Sequence, residues 1–284
     1  MNTTDTPDSP AADLPDLSRL TVAVIGAGNM GGPVVTSMLA AGVPGERLRI
    51  ANSTPASSER AAQQLGATAA ASREEGVQGA DVVVLGVKPY QVTGVLTELR
   101  EHFGADTLVL SLAAAVTLDQ MAGVLPDGQP IARAMPNTPI SVGEGAVGLM
   151  STGLTTAQLE LLHALFSRAG VVVDITEDQV HAFIGAAGSL SALVFALIEA
   201  MTDEAVREGL KRDLASQLVQ QTVRGAATML IESGTHAAVA KNGVSSPGGT
   251  TVEALAEFER QGVRGGIASA MAASMERSRE LTGD

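Results

Sequence analysis

Leu20-Thr21-Val22-Ala23-Val24-Ile25-Gly26-Ala27-Gly28-Asn29-Met30-Gly31 is a short β-rich run that passes directly into a G-x-G-x-x-G turn. Helix-like spacing follows, through Val34, Val35, Met38 and Leu39. Strand, then this glycine spacing, then helix is the order in which a dinucleotide-binding unit begins. In such a unit Gly26 allows the tight turn, Gly28 lets a pyrophosphate approach the backbone, and Gly31 lets helix and strand pack closely. The same residues could form a turn that holds no ligand. Their context favours the dinucleotide, and with it a Rossmann-like α/β domain.

Working outward, residues 1–18 are rich in Thr, Pro, Ala and Asp, with four Asp and no Lys or Arg. They read as a disordered acidic leader outside the fold. A second strand is expected over residues 47–51, ending in Asn52, Ser53 and Thr54. Dinucleotide folds that prefer NAD place an Asp or Glu here for the ribose 2′-hydroxyl. This chain offers an amide and two hydroxyls, with Arg60 downstream, so a 2′-phosphate meets donors and no repulsion. NADPH is expected, with NADH the weaker cofactor.

Residues 81–87 form a continuous apolar run, the pattern of a strand buried on both faces of a parallel sheet. Lys88 and Pro89 follow at its C-terminal end, the edge where ligands bind in open α/β sheets. Residues 107–113, 131–135, 145–150 and 171–175 repeat the strand signal, with a helical pattern at 156–168. This alternation describes a doubly wound sheet, and the domain is set at residues 19–178.

From there the texture is helical. An all-α domain over residues 179–284 is expected, with long helices at 190–206, 210–231 and 263–281 and a shorter one starting near Thr250. Leu193-Val194-Phe195-Ala196-Leu197-Ile198 is apolar around the helix, so another helix or a second subunit must cover it. So few residues make only a small bundle, and a homodimer through this domain is the preferred account. Before the helix at Thr250 lies Val244-Ser245-Ser246-Pro247-Gly248-Gly249-Thr250-Thr251. Thr250 with Glu253 has the capping-box form. A helix start of Gly-Gly-Thr-Thr offers N–H groups and two hydroxyls to a small carboxylate, although an ordinary interhelical turn has the same composition.

Composition narrows the function. Without Cys there is no thiolate nucleophile, disulfide or sulfur-ligated metal. A formal net charge of −13 argues against nucleic acid or an anionic membrane as partner. No apolar run approaches membrane-spanning length and no signal-peptide pattern opens the chain, so a cytoplasmic protein is expected. His102, His163, His181 and His236 fall in no motif and suit structural roles better than catalysis or a metal site.

Taken together, residues 25–31, Val87-Lys88-Pro89, Met135-Pro136-Asn137-Thr138-Pro139, residues 225–230, residues 244–251 and residues 277–281 resemble the pyrroline-5-carboxylate reductase family in order and spacing. The resemblance implies an NADPH-dependent oxidoreductase that reduces a small cyclic imino acid, 1-pyrroline-5-carboxylate, to proline. It implies a Rossmann domain followed by a helical domain interlocked with its twin, and an active site at the dimer interface. Gly28, Asn29, Met30, Asn52, Lys88, Pro89 and Ala113 would line the NADPH cleft. The turn from Ser246 would hold the substrate carboxylate through Gly249, Thr250 and Thr251, with the Thr251 hydroxyl beside the imine nitrogen. Such chemistry needs a hydride donor, a held substrate and a proton, and orientation supplies most of the rate. One stretch departs from the family: Gly188-Ser189-Leu190-Ser191-Ala192-Leu193 stands where Gly-Ser-Gly-Pro-Ala-Tyr is usual. This leaves open another imino acid as substrate, or a nucleotide-binding regulator without turnover. A related hydroxyacid dehydrogenase would need a catalytic Lys in the helical domain. Lys211 lies in a charged run and Lys241 just before the turn.

Overall fold

The structure is a computed structural model that describes residues 15–282. Residues 1–14 of the acidic leader lie outside the described residues. The expected end of that leader needs correction. Leu17–Arg19 forms a 3-10 turn and Leu17, 5 % exposed, belongs to the hydrophobic core. Leu17 stands three residues from Leu14 and from Leu20, but the run is short and interrupted by Pro15 and Asp16, so its burial leaves little mark in the sequence.

The chain divides into two compact units, Met1–Val180 and His181–Asp284. The first is built on eight strands: β1 Val22–Ile25, β2 Leu48–Ala51, β3 Thr68–Ala69, β4 Val82–Leu85, β5 Leu108–Ser111, β6 Ile131–Pro136, β7 Gly145–Thr152 and β8 Gly170–Asp174. They form one sheet in the order β3-β2-β1-β4-β5-β6-β7-β8. Strands β1 to β6 are parallel, β7 runs antiparallel to β6, and β8 is parallel to β7. The first six reproduce the doubly wound order, whose sequence reverses between β1 and β4. Strands β1, β4 and β5 are buried at every residue, as their unbroken Val, Leu and Ile runs require of strands covered on both faces. The connecting helices are α1 Gly31–Ala41, α2 Pro55–Leu65, α3 Arg73–Val77, α4 Val92–Leu99, α5 Leu118–Ala122 and α6 Thr156–Leu165. Gly42 and Gly66, both left-handed, close α1 and α2.

The second unit is helical. After α7, Val180–Phe183, comes a π-helical turn, Ile184–Gly188, then α8 Leu190–Arg207 and α9 Arg212–Ser233. Helices α10 Ala237–Gly243, α11 Thr250–Arg260 and α12 Val263–Thr282 complete it. Helix α8 packs against α9, α11 against α12, and α12 against the π turn. A Cβ on Gly185 would stand 2.3 Å from Met275 Cε, so this glycine sets how closely α12 approaches. His181 Nδ1 meets the Ser278 hydroxyl at 2.9 Å beside that contact.

Much of the apolar surface of this unit is uncovered. Phe195 is 61 % exposed and Ile231 80 %, with Leu214, Leu218 and Met229 open as well. Among its described residues only His181, Gly185, Thr202, Ala215 and Ser278 are buried. A bundle with so small an interior does not bury enough apolar area alone, which agrees with the expected need for a covering subunit. The expectation that no apolar run reaches membrane-spanning length is corrected here. Glu177–Arg207 is a 31-residue helical run with mean hydropathy 1.9 in its most apolar window, long and apolar enough to cross a membrane by length and composition. Gly185, Gly188, Ser189 and Ser191 broke up its apolar appearance in the sequence.

Candidate functional site

The glycine turn sits where β1 hands over to α1. Gly26 has φ +96°, and its N–H donates to Ala51 O at 3.0 Å. A Cβ there would meet the Gly86 carbonyl carbon at 2.9 Å. Gly31 is tighter still, since its Cβ would lie 2.1 Å from Gly26 O. These two glycines let β1, β4 and α1 approach one another. Gly28 differs: a Cβ there would meet nothing of the protein within 4 Å. The backbone at Gly28 therefore borders space that the fold leaves for something else.

That space is a crevice of about 550 Å³, lined by Gly26, Gly28, Asn29, Met30, Asn52, Ser53, Lys88, Pro89 and Ala113 of the residues expected from the sequence. It opens beyond the C-terminal ends of β1, β2, β4 and β5, the edge at which such sheets bind nucleotides. Two expected residues stand outside its lining. Gly31 serves packing, as described, and Thr54 is consumed as the N-cap of α2, where its hydroxyl accepts from Ser57 N at 3.2 Å.

Asn52 lines the crevice with both ends of its amide engaged. Its Oδ1 accepts from Ala27 N at 2.8 Å and its Nδ2 donates to Ser57 O at 3.0 Å. It braces the glycine turn against α2, and Ser53 is left as the hydroxyl at this end. The expected cation is also corrected. Arg60 does not line the crevice; Arg73, the first residue of α3, does. Arg73 joins the crevice to a second cavity of about 310 Å³ that shares Asn52 and Ser53 and includes Glu74 and Glu98. Its Nη1 lies 3.1 Å from Glu98 Oε2. The Ser72 hydroxyl, and after it the backbone N–H of Glu74, hold the Glu74 carboxyl below the usual carboxylate value. Glu74 is thus an anion at neutral pH, and Arg73 is the cation among these groups. Lys88, at the end of β4, has no carboxylate partner among the described residues.

At the opposite end of the crevice, Ala113 N donates to the buried Ser111 hydroxyl at 3.2 Å. Ala114 continues this wall.

The turn expected to hold a carboxylate, residues 244–251, lies in the second unit. Gly249 N donates to Ser246 O at 2.9 Å, and Gly248 takes φ +69°. The expected capping box is not formed. Gly249, extended at φ −84° and ψ 166°, occupies the cap, Thr250 is the first helical residue, and no side chain caps α11. The shift by one residue matters chemically. A Thr cap would have used a first-turn N–H, whereas a glycine cap leaves those donors to another acceptor. Ser246, Gly249, Thr250 and Thr251 are thus gathered at one helix start. Leu190 and Ser191, in the segment that departs from the family, open α8 immediately after the π turn.

Two of the histidines have structural partners. His163 meets Asp174 at 3.0 Å, and His236 caps α10 by accepting from Ala238 N at 3.2 Å. Among the described residues no group of three or more His, Asp or Glu is placed to hold a metal ion.

Sheet order, glycine turn and crevice define a dinucleotide-binding protein of the Rossmann class, joined to a helical unit. Comparison with known proteins narrows the class. The family description for pyrroline-5-carboxylate reductase dimerisation matches residues 177–281, and that for NADP oxidoreductase, coenzyme F420-dependent, matches residues 21–115. Pyrroline-5-carboxylate reductase of Escherichia coli is 39% identical over 267 residues, covering 92% of this chain and 98% of that protein. The Arabidopsis thaliana enzyme is 36% identical over 263 residues, covering 92% and 95%. A solved pyrroline-5-carboxylate reductase from Coxiella burnetii superposes with TM-score 0.85 at 33% identity, covering 93% of this chain and 98% of its own. The chain belongs to the pyrroline-5-carboxylate reductase family.

Proposed function

We propose that the crevice beside Gly28 holds NADPH and that the turn at the start of α11 holds the substrate carboxylate. The chain is an NADPH-dependent reductase that converts 1-pyrroline-5-carboxylate to L-proline. The observation that carries this reading is the unfilled space at Gly28, bordered by a glycine turn and located at the reversal of strand order. A pyrophosphate there meets backbone N–H groups and the N-terminus of α1. The adenosine 2′-phosphate falls at Ser53 and Arg73, displacing Glu98 as the partner of Arg73. A phosphate dianion makes the stronger charge-assisted pair with a guanidinium.

The reaction moves a hydride from the nicotinamide to the imine carbon and a proton to the nitrogen, yielding proline and NADP⁺. The N–H groups of Thr250 and Thr251 and the dipole of α11 hold the carboxylate. The Thr251 hydroxyl lies at the nitrogen and hydrogen-bonds it as it becomes an amine. The protein's share is orientation and exclusion of water, since the iminium carbon is already electrophilic. The uncovered faces of α8 and α9 are the homodimer surface, which accounts for the apolar length of Glu177–Arg207 without a membrane. A cytoplasmic location suits a soluble cofactor and substrate.

Replacing Thr251 with Ala tests the turn. Turnover should fall about 10- to 100-fold with the NADPH dissociation constant unchanged. Wild-type turnover in that variant would remove Thr251 from the reaction.

A further inference from the structure

Strand β6 is buried at all six positions, and in the middle of its Ile, Ala, Ala, Met and Pro stands Arg133, 2 % exposed. A buried guanidinium is costly, and an apolar residue of similar volume often stabilises such a site better. This one is not fully satisfied, for its Nε has no partner. Its other two nitrogens are committed. One Nη pairs with the Glu177 carboxylate; the other donates to Ala114 O at 2.7 Å. The same Glu177 oxygen accepts from Leu118 N, the first residue of α5, at 3.0 Å. The loop from β5 to α5 is therefore held at two points, midway at Ala114 by Arg133 and at its end, Leu118, by Glu177.

That loop is the far wall of the crevice. The adenosine half of a dinucleotide lies over the end of β2, where Ser53 and Arg73 are, and the pyrophosphate lies at the glycine turn. The nicotinamide half then falls beyond β4, against Ala113 and Ala114. We infer that Arg133 and Glu177 are positioning residues for the nicotinamide, fixing the Ala113 and Ala114 backbone against which the ring is placed. They touch neither cofactor nor substrate. Their effect passes through the wall, so it falls on one half of the cofactor and on the rate of hydride transfer. The inference rests on the crevice being the NADPH site.

The experiment measures two ligands on the full-length protein: NADPH, and adenosine 2′,5′-bisphosphate, which carries only the adenosine half. Wild-type protein should bind both, and failure to bind either contradicts the crevice reading itself. Arg133→Met should weaken NADPH about tenfold and lower kcat by a similar factor, with the bisphosphate bound as in wild type. Glu177→Gln keeps an oxygen for Leu118 N and removes only the charge. It should show the same split at about threefold, and it decides the matter if Arg133→Met fails to fold. In the double variant the losses should not add, since both act through one loop. Equal losses for both ligands, or none for either, would overturn the inference and leave the pair as internal packing.

Discussion

Gly28 and Gly31 belong to one motif, yet the structure demands opposite consequences of adding a methyl group to each. At Gly31 the new Cβ would lie 2.1 Å from Gly26 O, about 1 Å inside the closest contact that real Cβ atoms make. Gly26 cannot yield, because its own Cβ position is closed by Gly86 and its N–H is held by Ala51 O. Helix α1 must move instead, against Val34, Val35 and Met38, all fully buried. Overpacking of this kind costs about 1–3 kcal/mol, and Gly31, the first residue of α1, gains little of the helix-interior preference for Ala that would offset it. For a protein of this size each kcal/mol shifts Tm by about 2–4 °C, so Gly31→Ala should melt roughly 2–12 °C lower. At Gly28 an added Cβ would meet no protein atom within 4 Å and φ is not left-handed, so Gly28→Ala should melt within about 1 °C of wild type, if anything higher. The methyl group would instead occupy the approach of the pyrophosphate. The same overpacking cost then falls on binding, and NADPH affinity should drop about 10- to 100-fold. Thermal melts and a fluorescence titration with NADPH read both quantities. Wild-type affinity in Gly28→Ala, or a wild-type melt in Gly31→Ala, would refute the assignment of pyrophosphate to one glycine and packing to the other.

Three further outcomes follow from the structure. Arg73→Ala should weaken NADPH about 10- to 100-fold while leaving NADH nearly unchanged, since only NADPH carries the 2′-phosphate. Glu98→Gln frees Arg73 and should tighten NADPH by about fivefold or less, because a half-exposed ion pair is weak; parallel titrations with the two nucleotides check both. Phe195→Asp places a charge on the uncovered face of α8, and light scattering should show the dimer dissociating at concentrations about 100-fold above those needed for wild type. An unchanged dimer would move the interface elsewhere.

The sheet was legible because burial on both faces imposes continuous apolar runs, as in Val82–Leu85 and Leu108–Ser111. Strand β3, of two residues, and α10, of seven, were too short to leave a period. Arg60 attracted notice because it follows Asn52 closely in the chain, whereas Arg73 reaches the same crevice from the next connection, past β3. The capping reading at Thr250 failed by one residue. Glycine is also a good cap, and pattern alone does not say whether Gly249 or Thr250 leaves the helix. Arg133 passed unnoticed inside β6 because its importance lies in Ala114 and Glu177, partners distant in sequence. For Arg73 and Arg133 the missing information was tertiary contact.

The most direct test follows the hydride. Purified protein given 1-pyrroline-5-carboxylate and NADPH carrying deuterium at the transferred position of the nicotinamide should release L-proline bearing one deuterium on the former imine carbon, together with NADP⁺, and should do so faster than with labelled NADH. NADPH bound without turnover, or proline formed without the label, would contradict the account at its centre.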